Sequence, residues 1–210
     1  MPVVALISLS TQSNNDATIA HLETILKATG TSFTIGTKLQ DPSVIQITTQ
    51  YPSLASTSAL SSHPPYTSLI SSLTSYNPTI TTATLNTPIL PAPLVEFVKS
   101  DFPTPLSPSR QAQIQSDFAR FESLYRARGS MADTGEISLS TGWSEPHANL
   151  QGVEVQSWVV ARGWQGMAFF EKAVASDEFK RCIGILMDWG AEFALVSRVE
   201  KEWEDCVDEI

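Results

Sequence analysis

The sequence predicts an α+β protein made of two ferredoxin-like βαββαβ units, each with an antiparallel sheet, whose sheets face each other. The first observation is that the order strand, helix, strand, strand, helix, strand occurs twice along the 210 residues. The second is that one offset of 113 residues places Tyr51 on Trp164 and Tyr66 on Phe179, which superposes strands and helices of the two halves. Helices cover one face of each sheet, so the opposite sheet is needed to cover the other face.

The repeat sets the expected domain organisation. The first unit is expected at 1–86, a linker at 87–93 and the second unit at 94–210. Together the two units would form a pseudo-twofold barrel within a single chain.

In the first half, β-branched runs predict strands and apolar residues at helical spacing predict helices. Asn14, Asn15 and Asp16 can cap the first helix, and Gly30 can end it. The second helix is expected to break near Pro64–Pro65, because proline interrupts helical hydrogen bonding. The predicted elements are strand 3–9, helix 15–29, strand 33–40, strand 43–50, helix 53–76 and strand 79–85.

The second half repeats this order with a longer first helix and an insertion at 144–152. The first helix is amphipathic, with Phe118, Phe121, Leu124 and Tyr125 on one side. In the strand from Glu154 both faces are largely apolar, which predicts helices on one face and the opposite sheet on the other. The predicted elements are strand 94–99, helix 107–128, strand 135–143, strand 154–164, helix 167–189 and strand 192–199.

Composition excludes several classes of protein. With 13 Lys and Arg against 22 Asp and Glu, the formal net charge of −9 argues against binding to nucleic acid or to anionic membranes. No apolar run approaches the ~20 residues of a membrane-spanning helix, and the first residues form a strand pattern rather than a signal peptide. Cys182 and Cys206 have no metal-ligand spacing, so neither a disulfide scaffold nor a zinc site is predicted. A reducing, cytoplasmic compartment is the expected location.

The stretch from 42 to 95 contains no Asp, Glu, Lys or Arg and is rich in Ser and Thr. Its apolar residues keep a regular period, which argues against a low-complexity linker. An uncharged segment of this length is either partly buried against a partner or an uncharged Ser/Thr surface. If the protein forms a homodimer, this segment is where its interface is expected.

Four short segments of the second half carry a resemblance to a known family. They are Gly135–Trp143 (GEISLSTGW), Gly152–Glu154 (GVE), Trp158–Gln165 (WVVARGWQ) and Asp177–Lys180 (DEFK). These segments resemble fungal members of the dimeric α+β barrel superfamily, also called antibiotic-monooxygenase-like proteins. The resemblance is clearest over about 130–200, and the internal repeat brings 1–86 into the same register. It implies a tandem, pseudo-dimeric α+β barrel.

The resemblance also implies a ligand held inside the barrel, between the two sheets. Members of the family include cofactor-independent monooxygenases, cyclases, decarboxylases, haem-binding enzymes and non-catalytic stress proteins, so the fold does not decide the reaction. Many members carry a His one turn into the helix after the Gly-Trp strand. This sequence has Phe170 there, and Thr57 in the first half, which argues against a His base or haem ligation. Neither a cofactor nor a metal is therefore expected.

Glu96 and Arg162 are the candidate catalytic residues. Alternation in the strand from Leu94 places Val95 and Phe97 on one face and Glu96 on the other. If Val95 and Phe97 face the helices, Glu96 points into the barrel, where burial would raise the pKa of its carboxyl group and suit it to acid–base catalysis. Arg162 could bind a substrate carboxylate or an enolate oxygen. The alternatives are a Glu96 that reaches water, and an Arg162 that forms a structural ion pair or extends from the strand end.

Further candidates are His147 in the insertion and four large aromatic residues. His147 could act as an acid or base on a segment that closes the barrel, or could be a solvated loop residue. The aromatic side chains would suit a flat apolar ligand, or could be ordinary core. They are Tyr51, Trp143, Trp158 and Trp164.

These observations predict a cofactor-independent enzyme of fungal-type specialised metabolism. Its ligand would be a small apolar molecule, aromatic or polyketide-like, and the reaction a cyclisation, decarboxylation, dehydration or oxygenation. The alternative is a non-catalytic ligand-binding or stress-response protein, which the missing helix histidines favour. A cavity with convergent polar groups would favour the enzyme, and a barrel filled by aromatic side chains the binding protein.

Overall fold

The computed structural model describes residues 1–11, 16–52, 54–126, 129, 131–149, 152–189 and 191–198. It has an α+β architecture in which a curled antiparallel sheet carries helices on one face. Among the described residues, no helix is both long enough and apolar enough to cross a membrane. Cys182 is a buried free thiol, and Cys206 lies outside the described residues.

The first half follows the predicted order of elements. The predicted helix 53–76 is divided at His63, after which Pro64 and Pro65 begin a new helix, because proline suits the first turn. Asn14 and Asn15, the predicted caps, lie outside the described residues. The elements are β1 (Val3–Ser10), α1 (Asp16–Ala28), β2 (Ser32–Lys38), β3 (Val44–Tyr51), a 3-10 helix (Thr57–Ser62), α2 (Pro64–Leu73), a second 3-10 helix (Thr74–Tyr76) and β4 (Thr79–Leu85).

The second half departs from the prediction in its last helix and first strand, and it adds a short helix at Met131–Thr134 and a short strand at His147–Ala148. Leu124, predicted on the apolar side of the first helix, is exposed. The single helix predicted at 167–189 is wrong, because the Ser176 hydroxyl accepts a hydrogen bond from the backbone N–H of Phe179 (3.2 Å) and so caps a new helix. The first strand runs on to Pro103, beyond the predicted 94–99. The elements are β5 (Leu94–Pro103), α3 (Pro108–Tyr125), α4 (Met131–Thr134), β6 (Glu136–Ser144), β7 (His147–Ala148), β8 (Glu154–Trp164), α5 (Met167–Ala175), α6 (Asp177–Cys182), 3-10 helices at Ile183–Ile185 and Met187–Trp189, and β9 (Ala191–Arg198).

The strands pair in two groups of four. The first group has the order β2-β3-β1-β4 and the second β9-β5-β8-β6, with antiparallel pairing throughout. Pairing of β2 with β9 and of β4 with β6 joins the groups, so the eight strands are linked in a ring. The short strand β7 adds to the beginning of β8.

Three clusters of buried apolar side chains mark the layers of the molecule. One packs α1 and α2 on the first group of strands, and another packs α3, α5 and α6 on the second group. The third lies on the opposite face of both groups, where side chains of the two halves meet. It includes Val4, Leu6, Ala83, Val95, Phe97 and Val159.

Candidate functional site

A cavity of about 530 Å³ lies in the second half, between the strands and the covering helices. Strands β5 and β8 form its floor, and α3, α5, α6 and the two 3-10 helices that follow form its walls. The volume is within the range of small-molecule sites. Aromatic side chains dominate the lining, among them Phe118, Phe121, Trp158, Trp164, Phe170 and Trp189.

Arg162 is the basic side chain at the cavity, and three carboxylates surround it. Its Nη1 donates to Glu136 Oε2 (3.0 Å), and its Nη2 donates to Glu122 Oε1. Its Nε lies 3.8 Å from Glu96 Oε2. Arg126 bridges two of the same carboxylates, with Nη2 at 2.9 Å from Glu136 and 3.2 Å from Glu122. A carboxylate therefore lies beside each of the three nitrogens of the Arg162 guanidinium.

The two oxygens of Glu96 differ in their surroundings. Oε2 accepts a hydrogen bond from Trp164 Nε1 (3.1 Å) and faces Arg162. Oε1 has no hydrogen-bond or ion-pair partner within the described part of the chain, and Glu96 lines the cavity. One oxygen therefore fixes the carboxyl group, and the other is available to a ligand.

Burial decides the protonation behaviour of this group. It raises the pKa of Glu96 above its ordinary value, and the Arg162 charge and the Trp164 hydrogen bond only partly offset the effect. Burial alone would lower the pKa of Arg162, but the carboxylates of Glu122, Glu96 and Glu136 outweigh it and raise the pKa. Arg162 therefore stays charged, while Glu96 can take up and release a proton closer to neutral pH.

The raised pKa of Glu96 predicts a pH-dependent stability difference between the wild type and Glu96→Gln. The folded protein binds the Glu96 proton more tightly than the unfolded chain does, so protonation of Glu96 stabilises the fold. This stabilisation is fully present below pH 4.5 and is lost as the pH rises through the pKa of the folded state. Urea denaturation of both proteins should be measured from about pH 4, below the ordinary pKa of a glutamate, to about pH 8. Over this range the free energy of unfolding of the wild type should fall relative to that of Glu96→Gln. A constant or rising difference would contradict the raised pKa.

Glu96 and Arg162, the two candidate catalytic residues, lie side by side, but on the face of the sheet opposite to the one expected. The predicted alternation in β5 is present, yet Val95 and Phe97 face the opposite half and Glu96 faces the helices. The reason is that Arg162 finds its carboxylate partners, Glu122 of α3 among them, on the helix side. The expectation of a polar site between the sheets is therefore wrong, since apolar side chains of both halves meet there.

The remaining candidates divide between the cavity and other places. Trp158 and Trp164 line the cavity on the helix side of the sheet. Trp143 packs on Trp158 with ring centroids 5.1 Å apart, behind the cavity wall. Tyr51 belongs to the first-half core, where its ring lies 5.2 Å from that of His63.

His147 lies apart from the cavity, on the short strand β7. Its Nδ1 is 2.9 Å from the carbonyl oxygen of Glu145, and its Nε2 is 3.5 Å from the hydroxyl of Ser157. Ser157 donates instead to Asp101 (2.6 Å). His147 is therefore not placed to share a reaction with Glu96.

Sequence reasoning missed Glu122 and Glu136, which complete the charged cluster. A signal for Glu122 exists: it shares the buried face of α3 with Phe118, Phe121 and Tyr125. A carboxylate on an apolar helix face needs a buried partner. Glu136 is 4% exposed at the start of β6, where the register shift before Ser138 leaves little periodic signal.

The described lining of the cavity lacks the two residue types that most often hold haem iron. Phe170 lies one turn into the helix after β8, where many members of the resembled family carry a His. Its ring lies 5.9 Å from that of Trp164. Among the described lining residues there is no His or Cys to supply the imidazole or thiolate by which most haem proteins hold iron. Thr57, the corresponding first-half residue, donates to Glu145.

Comparison with known proteins identifies the fold. No model of a protein family matches the chain, and a search of curated proteins finds no match. An anthrone oxidase-like protein of known structure is similar over 95% of this chain and 92% of its own, with TM-score 0.63 and 11% identity. A candidate monooxygenase from Fusobacterium nucleatum has TM-score 0.61 and 10% identity, covering 95% and 93% of the two chains. A candidate monooxygenase from Lactobacillus acidophilus has TM-score 0.57 and 8% identity, and the match covers 94% of this chain and 93% of its own.

At these identities the likeness concerns the fold alone. The chain shares an α+β barrel fold with these proteins. What those proteins bind or convert does not transfer to this chain through such a likeness.

Proposed function

We propose that this chain is a cofactor-independent enzyme that moves a proton on a small, apolar, aromatic or polyketide-like molecule, with Glu96 as the acid or base. The observation that carries the proposal is Glu96 Oε1, which is unpartnered in the described structure and lies in an aromatic-lined cavity of about 530 Å³. A carboxyl group fixed through one oxygen and open at the other has the geometry of a general acid or base.

Proton transfer is the step that the predicted reactions have in common. A cyclisation or dehydration removes a proton from carbon, and decarboxylation leaves a carbanion that must gain one. Oxygenation of an activated ring position likewise begins with loss of a proton from carbon. A single carboxyl group can serve each of these steps, and the cavity shape selects the substrate.

Arg162 is a positioning residue in this proposal. Its Nη atoms already donate to Glu136 and Glu122, so a substrate oxyanion would have to compete with two carboxylates for them. Its Nε faces Glu96 Oε2 at 3.8 Å, and Trp164 holds the same oxygen. These two side chains aim Oε1 at the cavity.

The finer description of the fold is also a proposal. The strand orders β2-β3-β1-β4 and β9-β5-β8-β6 support two tandem ferredoxin-like units that form a pseudo-dimeric barrel, with units at 1–86 and 94–210. A fungal origin, a role in specialised metabolism, a cytoplasmic location and a homodimer through residues 42–95 stay predictions from the sequence.

Anthrone is a suitable first test substrate, because a protein of similar fold is described as anthrone oxidase-like. Anthrone is an apolar tricyclic ketone with acidic methylene protons. Its conversion to anthraquinone consumes one dioxygen from solution and releases one water. Oxygen uptake and deuterium exchange at the methylene group measure turnover and proton transfer separately. Glu96→Gln is expected to lower kcat/KM by about 100-fold or more, which is typical of losing a general acid or base.

The control is Glu171→Gln, which changes an exposed carboxylate on the outside of α5 and should leave turnover unchanged. Melting curves of both variants exclude unfolding as the cause. Full proton-transfer activity in a folded Glu96→Gln variant would refute the role of Glu96.

The second candidate is a non-catalytic binding protein. Two observations favour it: Arg162 is bound to Glu136 and Glu122, and His147 lies away from the cavity. Of the candidate catalytic residues, Glu96 is then the one left to act as an acid or base. If the protein only binds ligands, apolar aromatic ligands bind equally well to the wild type and Glu96→Gln, and neither protein accelerates proton exchange.

A further inference from the structure

We infer that the cavity accepts uncharged aromatic ligands and rejects aromatic carboxylates, and that Glu122 and Glu136 set this selectivity by occupying Arg162. The inference rests on the proposed function, because it assumes that the cavity is the ligand site. It goes further by assigning the charge of the ligand and two residues that determine it.

The guanidinium of Arg162 at the cavity already binds two carboxylates of the protein. Among the described lining residues Arg162 is the only Lys or Arg. Its Nη1 and Nη2 donate to Glu136 and Glu122. An incoming carboxylate would need these same donors, since an arginine binds a carboxylate best through two N–H groups. It would have to compete at these nitrogens with carboxylates that the protein already holds there.

The charges of the cluster also oppose an anion. Glu122 and Glu136 balance the charges of Arg126 and Arg162, and Glu96 adds a negative charge beside Arg162 whenever it is ionised. The side chains of Glu122 and Glu136 are 11% and 1% exposed, so solvent screens this charge weakly. A ligand carboxylate would lose its hydration shell and, when Glu96 is ionised, meet net repulsion.

Neither Glu122 nor Glu136 lines the cavity. Glu122 comes from α3 and Glu136 from β6, so both hold Arg162 from outside the space that the ligand would fill. Their removal therefore changes the charge of the site without changing its shape. Glutamine keeps the size and one acceptor oxygen of each side chain.

A neutral ligand meets no such penalty. The lining aromatic rings offer apolar contact to a flat ring system, and Glu96 Oε1 can accept a hydrogen bond from a hydroxyl group. A phenol is therefore the favoured probe, and an aromatic acid of the same ring size is the matched comparison.

The test measures binding of 2-naphthol and naphthalene-2-carboxylate by titration calorimetry at pH 7. We expect the wild type to bind 2-naphthol at least about tenfold more tightly, because the carboxylate must be desolvated without a free partner. In Glu122→Gln/Glu136→Gln, affinity for the carboxylate should rise at least about tenfold, because the net charge near Arg162 becomes positive. Affinity for 2-naphthol should stay within about threefold, since the apolar walls are unchanged.

Each outcome decides between the two proposals. If the wild type binds the carboxylate as tightly as 2-naphthol, or if the folded double variant gains no affinity for it, the charge selectivity is wrong and the ligand site stands. If the wild type binds neither probe, the ligand site itself is refuted, and the selectivity with it. Should the double variant fail to fold, the wild-type ratio and the single variant Glu136→Gln carry the test. Glu171→Gln, on the exposed side of α5, is the matched control and should bind as the wild type does.

Discussion

Arg162→Met is expected to lower the free energy of unfolding by about 3–5 kcal/mol, because removing one partner of a buried ion pair leaves uncompensated charge. Methionine keeps most of the apolar stem, so the loss reports the charge rather than a void. Of the two arginines described in this cluster, Arg126 would then remain beside the carboxylates of Glu122 and Glu136, and Glu96 would lose the charge next to it. Urea denaturation at pH 7 measures the effect.

The control for this variant is Arg181→Met. Arg181 forms a surface pair with Glu178 and its side chain is 72% exposed, so a change within about 0.5 kcal/mol is expected. Adding Glu122→Gln to Arg162→Met should restore part of the loss, since it removes one of the uncompensated charges. A fully stable Arg162→Met protein would show that the cluster does not need its central cation.

Gly142→Ala is expected to cost at least about 3 kcal/mol, at the upper end of overpacking effects, because the added methyl group would collide with backbone. A Cβ at this position would lie 1.9 Å from the carbonyl oxygen of Thr84 and 2.9 Å from the Cα of Leu85. Gly142 pairs with Leu85 in the seam between β6 and β4, where the two halves of the ring meet. Backbone atoms cannot rotate away as a side chain can, so the seam must open.

Gly184→Ala is the matched control, because a Cβ there meets nothing within 4 Å. Its melting temperature should equal or slightly exceed that of the wild type, since alanine reduces the freedom of the unfolded chain. Equal stability of the two variants would show that β4 and β6 are not in this close contact.

The order of elements could be predicted because each strand and helix carries its own periodic signal. Val95, Glu96 and Phe97 show both the strength and the limit of that signal. Alternation assigns Glu96 to the face opposite its neighbours, and the structure agrees. Alternation does not say which face meets the helices, because both faces of β5 are buried.

The face is decided by contacts that are distant along the chain. Arg162 and Glu122 are 40 residues apart, yet their ion pair places the polar face of the sheet under α3. Val4 and Leu6, on β1, supply the apolar surface that Val95 and Phe97 cover. A rule based on spacing cannot find such pairs, but a carboxylate among the apolar residues of an amphipathic helix could have indicated one.

The position of the cavity also follows from these contacts. The long helix predicted at 167–189 would have covered the sheet with one continuous rod. The break at Ser176 instead divides this segment into α5 and α6, and residues of both line the cavity, Phe170 and Phe179 among them. A local cap therefore shapes the candidate site.

A crystal structure of the chain grown with 2-naphthol tests the location of the ligand site most directly. We expect the naphthol ring against Trp158 and Trp164, in the cavity between the second-half strands and α3, with its hydroxyl group within hydrogen-bond distance of a Glu96 carboxylate oxygen. A ligand found between the two halves, against Val95 and Phe97, would contradict the assignment, as would a Glu96 side chain turned away from the bound ring.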